Sequence, residues 1–393
     1  MNQMSEPESS PEPVESNDPS AAAKRSRLPG WIRLPLRWTR NVLTFIGLFL
    51  LIAWCVLAVY FSNLPSWWGR LAGAIAFAVF ALWALSITRR RNARRAFAGA
   101  CAAVVIWWIY IPPSNDRPWR PEVAVPPRAI INGDRATFTN FRHFTYRSRD
   151  DFDVRYEERE VDLARLVSVD LFLSYWKTGP VGHTFLSFNF DDGSPPVCVS
   201  IETRPEIGEG FGPLASMFKQ FELIYVVGDE RDIVRVRTDH RNEEVFLYRI
   251  RASKIAVQAL FRVYLDRINK LADHPEWYHL LSNSCTVNII RYSRAIGGPH
   301  RRFEVKHLLN GWIDQYMYHL GIVDTSLGFD ELRARSHIND VARAVGDADD
   351  FSLQIRKSLP VPAVNGAHGA TNHLASPAGS ESSPIQAMDN KGM

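Results

Sequence analysis

Four cysteines are spread over 393 residues, and one of them, Cys285, sits in the stretch YHLLSNSCTVNIIRYSRAIGG. Asn283 and Ser284 precede it, and either can cap a helix N-terminus. An apolar-periodic run follows and stops at Gly297-Gly298-Pro299, a helix-ending signal. The thiol is therefore expected in the first turn of a helix, where unpaired N–H groups and the helix dipole favour a thiolate. A thiolate there is a nucleophile for a carbonyl carbon. A backbone N–H of the same turn can help to hold the oxyanion that forms.

Such a nucleophile needs a base. Among 11 histidines, His183 stands out in KTGPVGHTFLSF. It follows a Gly-Pro turn and Gly182 at the mouth of a predicted strand, and the small residues before it leave room for a ligand. A third group should orient the imidazole. If strand 183–190 pairs with 197–204 about the DDGSPP turn, residue 183 lies opposite 204, and 200, 202 and 204 share its face. Ser200 or Glu202 is then the orienter, with Arg204 beside them. A slip of one residue would turn these side chains away.

Plainer readings stand beside this one. Cys198 and Cys285 could form a disulfide in an oxidising compartment, or Cys285 could be buried and inert. His183 could be an ordinary strand-end histidine. Glu202 could pair structurally with Arg204 or another arginine. Cys55 and Cys101 fall in apolar stretches and read as lipid-facing or packing residues. His274, His279, His307 and His319 read as packing or surface residues. No spacing resembles a zinc motif, and there is no P-loop or GxGxxG, so no metal or cofactor is expected.

Charge is distributed unevenly around these elements. Residues 1–23 carry five acids and no base, residues 24–111 carry twelve Lys or Arg and no acid, and the remainder holds 34 bases against 37 acids. The basic excess belongs to one short region and gives no reason to expect a nucleic-acid groove. Residues 1–23, rich in Pro, Ser and Glu, read as disordered. Residues 24–111 read as a membrane anchor with three spans, at 42–61, 71–87 and 96–111, against the roughly 20 apolar residues a bilayer core requires. Arginines before the first stretch and between the second and third place both clusters in the cytoplasm. Three spans then put everything after Pro112 on the far side, and that placement depends on the short third stretch.

Beyond the spans, 112–127 reads as a Pro-rich extended linker, 128–358 as one domain and 359–393 as a disordered tail. Strands are expected at 138–148, within 161–176, at 183–190 and 197–204, then at 221–227 and 232–238 as a second hairpin, and at 244–250. Ser253 can cap a helix over 254–272, and further helices follow Cys285 and cover 305–321. An antiparallel sheet followed by helices makes the class α+β.

The blocks WKTGPVGHTFLSF, VSIETR, YVVGDERD and YHLLSNSCT resemble the periplasmic domain that forms the N-terminal part of the bacterial lyso-form lipoprotein transacylase Lnb, over about residues 138–325. The resemblance implies a permuted papain-like fold, in which the histidine strand precedes the cysteine helix, with Cys285 as nucleophile and His183 as base. It implies acyl transfer or hydrolysis at the bacterial inner membrane by a periplasmic domain, with a membrane lipid or lipoprotein as substrate. Here the apolar stretches precede the domain rather than follow it. The competing functions are a cysteine hydrolase of cell-wall peptides and a non-catalytic envelope binding or assembly module with a structural cysteine.

Overall fold

The computed structural model describes residues 30–86, 91–176, 179, 181–298 and 310–360. The acidic N-terminus, Lys24, Arg25, Arg27, Arg89, Arg90, most of the Lys177–Pro180 turn, Pro299, His307, the first part of the 305–321 helix and the tail from 361 lie outside the described residues.

The first elements among the described residues are three helices, α1 (Gly30–Tyr60), α2 (Trp67–Ser86) and α3 (Arg91–Tyr110). They pack around Cys55, Ala81, Ala84, Phe97 and Cys101, so both cysteines are packing residues. Leu43, Phe49, Val79, Leu82 and Ile106 point outward and are exposed, a surface that water disfavours and lipid does not. Among the described residues two helical segments are long and apolar enough to cross a membrane, Pro35–Tyr60 and Trp67–Ser86. The expected third span is corrected by this count. Helix α3 carries Arg91, Arg94 and Arg95 in its first turns, which leaves too short an apolar run to qualify by itself. It nevertheless returns along the other two, with Trp108 edge-on to Trp54 at 5.3 Å.

The rest of the chain is a mixed α+β unit. Its strands are β1 (Arg128–Asn132), β2 (Arg135–Arg142), β3 (Thr145–Tyr146), β4 (Phe152–Asp153), β5 (Tyr156–Asp162), β6 (Leu166–Tyr175), β7 (His183–Phe190), β8 (Val197–Arg204), β9 (Glu222–Gly228) and β10 (Glu244–Arg249). The main sheet runs β1-β2-β9-β8-β7-β6-β10, with β5 also on β2 and β3-β4 apart as a small ribbon. All pairings are antiparallel except β2 with β9, which meet in parallel at Arg142 and Gly228. That meeting needs a glycine, because a Cβ on Gly228 would lie 2.5 Å from the carbonyl oxygen of Arg142.

Alternation along the strands divides the core into two faces. One face carries Leu171, Leu186, Phe188, Val199 and Tyr225, covered by α5 (Lys254–Asp273) and α6 (Cys285–Ala295). Helix α5 is amphipathic, with Val257, Leu260, Phe261, Tyr264, Leu265 and Ile268 buried at three-to-four spacing, and the Ser253 side chain caps it by accepting from the N–H of Ala256. The other face carries Phe172, Phe185, Cys198, Ile224 and Val226. It is covered by α4 (Glu230–Ile233) and by α9 (Asn339–Val345) and α10 (Phe351–Gln354), while α7 (Ile313–His319) and α8 (Phe329–Ser336) join the first face.

The expected hairpin of 221–227 with 232–238 is overturned. After β9 the chain turns into α4, with Asp229 accepting from the N–H of Arg231, and then into a wide helical turn over Val236–His240. Alternation in DIVRVRT suggests a strand, but the charges decide: Asp232 binds the guanidinium of Arg142 at 2.7 Å, and Arg237 is buried against carboxylates. A strand would separate these buried ions from their partners, which costs several kcal/mol.

The Pro-rich segment 112–127 is fastened to the domain. Trp119 is buried beneath the Arg204 guanidinium, Asn115 donates to the carbonyl of Ala272, and Arg117 pairs with Glu206 and Glu222. The domain also docks on the bundle: Phe218 stacks on Phe61, and the Lys219 ammonium donates to the carbonyls of Ile109 and Ile111.

Gly228→Ala is expected to force β2 and β9 apart at a cost of about 1–3 kcal/mol, lowering the melting temperature of the detergent-solubilised full chain by several degrees. Gly210→Ala, where an added Cβ meets nothing within 4 Å, is expected to leave it unchanged. Equal melting curves for the two variants would remove the close-approach argument.

Candidate active site

Cys285 is the first residue of α6, and Ser284 occupies the N-cap position. The expected side-chain cap is absent: Ser284 makes no capping hydrogen bond, and Asn283 donates instead to the carbonyl of Trp277 and the carboxylate of Glu276. Helix α6 lies across β7, where the hydroxyls of Thr184 and Thr286 meet at 2.8 Å. This clasp brings the helix start to the beginning of β7, where His183 stands.

His183 and Cys285 are in contact. Burial by itself pushes the thiol up. The charge and hydrogen bond of His183, joined by hydrogen bonds from the backbone and side chain of Thr184, outweigh burial and hold the thiol at about 6 against an ordinary value of 9.0. The Tyr278 hydroxyl also hydrogen-bonds Cys285, and burial with the adjacent sulfur pushes this phenol well above its ordinary value.

The imidazole is held from the other side. Its Nε2 lies 2.7 Å from Ser200 Oγ, and Ser200 donates to Glu202 Oε1 at 2.9 Å. Since the serine proton goes to the carboxylate, Ser200 is left to accept from Nε2–H. This tautomer leaves Nδ1 as the nitrogen with a lone pair for the thiol. Glu202 is in turn held by Arg237 Nη2 at 2.7 Å. Burial would raise this carboxyl, but Arg237 first and His183 second keep it well below the usual carboxylate range. Arg237 also faces Glu243 at 3.7 Å, and Glu243 accepts from Ser174, the residue paired with His183 across β6 and β7.

The two candidate orienters are therefore joined in series rather than standing as alternatives. The structure brings Cys285, His183, Ser200 and Glu202 to one place, and the ladder explains how. Phe185 pairs with Ser200 and Ser187 with Cys198, two residues from the register expected from the turn centre. A slip of two preserves the face, so Ser200 and Glu202 remain on the side of His183. Arg204 goes elsewhere: its guanidinium binds the carbonyls of Val123 and Ala124 and the side chain of Asn115. The arginine paired with Glu202 is Arg237. Gly182 has a steric reason in addition to ligand room, since a Cβ there would lie 2.9 Å from the carbonyl oxygen of Ser174.

Cys198 and Cys285 are not joined by a disulfide, and they belong to the cores on opposite faces of the sheet. Burial raises the Cys198 thiol well above its ordinary value, so the two thiols differ in acidity as well as position. A cavity of about 340 Å³ opens on Cys285 and His183, with Arg241, Tyr278, Trp176 and Phe211 in its wall. Among the described residues no group of three or more His, Cys, Asp or Glu is placed to hold a metal ion.

The cysteine helix and the histidine strand before it lie in one continuous segment. Residues 152–311 match the family model of the Lnb N-terminal periplasmic domain. Cys285, His183, Ser200, Glu202, Arg237 and Tyr278 fall inside the Lnb-type segment, while the three N-terminal helices and the cavity-lining Arg120, Glu122, Val123 and Arg149 lie outside it. No curated protein and no solved structure matches the chain.

Sequence reasoning passed over Tyr278, Thr184, Thr286 and Arg237. The two threonines follow the histidine and the cysteine directly, and that repetition was a usable signal. Arg237 gave none, because its partner Glu202 is 35 residues away.

Iodoacetamide labelling of Cys285 in the full chain is expected to fall as pH drops through about 6. In His183→Ala burial is no longer opposed by the imidazole, so the thiol reverts to 9 or above, and labelling at pH 7 should fall roughly a hundredfold. Mass spectrometry of the labelled peptide against pH checks both. A wild-type midpoint near 9 would refute the coupling.

Proposed function

We propose that this chain is a membrane-anchored thiol enzyme of the bacterial envelope that moves or hydrolyses acyl groups through Cys285 and His183. The observation that carries the reading is an acidic cysteine at a helix start, in contact with a histidine whose far nitrogen is fixed by a serine–carboxylate–arginine chain. The Lnb-type segment and the N-terminal helices fit an inner-membrane protein with a periplasmic domain, provided that α3, whose apolar run is too short to qualify by itself, crosses packed against α1 and α2. The domain sits at the end of the bundle where α1 and α3 finish, opposite Arg91, Arg94 and Arg95, and this arrangement agrees with arginines on the cytoplasmic side. The order of histidine strand before cysteine helix fits a permuted papain-like arrangement.

In this mechanism the Cys285 thiolate attacks an ester carbonyl, and its electron pair forms the C–S bond. The oxyanion collapses, the C–O bond breaks, and the leaving alkoxide takes a proton from His183 Nδ1–H. The products are a thioester and an alcohol. An amine or water then attacks the thioester while His183 takes its proton, and the thiolate leaves. Ser200, Glu202 and Arg237 act through His183: they hold its orientation and stabilise its charged form. Tyr278 is placed to donate near the reacting atoms. A lipid or lipoprotein substrate fits the proximity of the cavity to the membrane helices.

The test is incubation of the full chain in nanodiscs with a diacylated lipopeptide or, separately, a muropeptide, read by intact mass. The expected result is a hydroxylamine-sensitive acyl adduct on Cys285 from the lipopeptide, absent in Cys285→Ala and slowed at least a hundredfold in His183→Ala. Cleavage of the muropeptide instead would favour a cell-wall hydrolase. No reaction with either substrate, together with an unreactive Cys285, would favour a structural module.

A further inference from the structure

Between β8 and β9 the chain runs through PEIGEGFGPLASMFKQF, residues 205–221. Four of its apolar side chains point outward: Ile207 at 69% exposure, Phe211 at 43%, Leu214 at 47% and Met217 at 37%. Its acidic side chains are engaged within the chain. Glu206 pairs with Arg117 at 3.1 Å, and Glu209 pairs with Arg70 at 3.4 Å. The outward surface of the segment is therefore apolar, with its charges turned inward.

Its position is set by the membrane helices. Arg70 lies in the first turn of α2, next to the stacked and exposed pair Trp67–Trp68, and such rings favour the bilayer–water interface. Phe218, one residue past Met217, packs on Trp54 and Phe61 at the end of α1. The apolar surface of the segment thus continues the apolar surface of the helices. It also reaches the cavity. Phe211 stacks on Trp176 at 5.1 Å, both line the cavity, and the carbonyl of Ser216 accepts from the N–H of Leu280 on the approach to Cys285.

We propose that segment 205–217 is a bilayer-inserting lip, and that the cavity takes its acyl substrate laterally from the leaflet on the domain side rather than from water. Placing Ile207, Leu214 and Met217 in lipid removes their exposed apolar surface from water, which is favourable. The domain is already tethered, so this gain goes into fixing the cavity mouth at the lipid. The substrate half of the proposal rests on the thiol-enzyme reading above; the lip itself does not.

The first test is independent of Cys285. In a Cys285→Ser background reconstituted in nanodiscs, spin labels at Ile207→Cys and Leu214→Cys are compared with a label at Asp192→Cys, in the exposed β7–β8 turn. Labels at 207 and 214 are expected to be reached by oxygen in preference to an aqueous nickel chelate, and the label at 192 to show the reverse. Chelate accessibility at 207 and 214 equal to that at 192 would overturn the lip. The second test uses Ile207→Ser/Leu214→Ser/Met217→Ser with Cys285 intact. Labelling by soluble iodoacetamide should stay within twofold of wild type, and labelling by a hexadecyl maleimide dissolved in the bilayer should fall at least tenfold. If both reagents label wild type and triple variant equally, lateral entry is wrong while the dyad reading stands. If neither labels wild type, the dyad reading is wrong, and the spin-label depths still decide the lip.

Discussion

The arrangement of the site depends on a partly buried ion pair, the buried Arg237 with Glu202. A guanidinium removed from water requires a carboxylate, and this one has Glu202 at 2.7 Å and Glu243 at 3.7 Å. The pairing fixes Glu202, Glu202 accepts the hydrogen bond of the Ser200 hydroxyl, and Ser200 can then only accept from His183. A single charge requirement therefore selects the imidazole tautomer and directs the free nitrogen to the sulfur. The effect ends at Cys285, whose acidity comes from the histidine charge despite burial.

Much of this was legible in the sequence because it was local. The Ser253 cap and the three-to-four apolar spacing placed α5, and polar residues before an apolar run placed the start of α6 at Cys285. A Pro-containing turn between aromatic and β-branched runs placed β7 and β8. The registration of that hairpin was off by two residues, and the side-chain period of two is why the face assignment survived. Three features resisted local reading. The VRVRT alternation suggested a strand because the partners of Asp232 and Arg237 are 90 and 35 residues distant. The parallel meeting of β2 with β9 joins segments that no turn connects. The third apolar stretch looked like a span when counted apart from the arginines that share its helix.

The two core thiols show how sheet geometry separates chemistry. Cys198 and Cys285 occupy opposite faces, one with its thiol raised chiefly by burial and the other lowered by an adjacent imidazole. Their assignment to different cores follows from strand alternation and the side on which α6 lies. It also accounts for why a two-cysteine domain need not contain a crosslink.

The Lys219 ammonium on the terminal carbonyls of α3, with segment 112–127 strapped along the domain, has a further consequence. A domain on a loose leash could sweep a hemisphere and sample bonds at many heights. One bolted to its own anchor works as a ruler, with the sulfur held at a constant elevation above the lipid. On the proposed thiol-enzyme reading, selectivity would arise before any contact with the substrate, because scissile bonds at headgroup depth come within range and those in the distant wall do not.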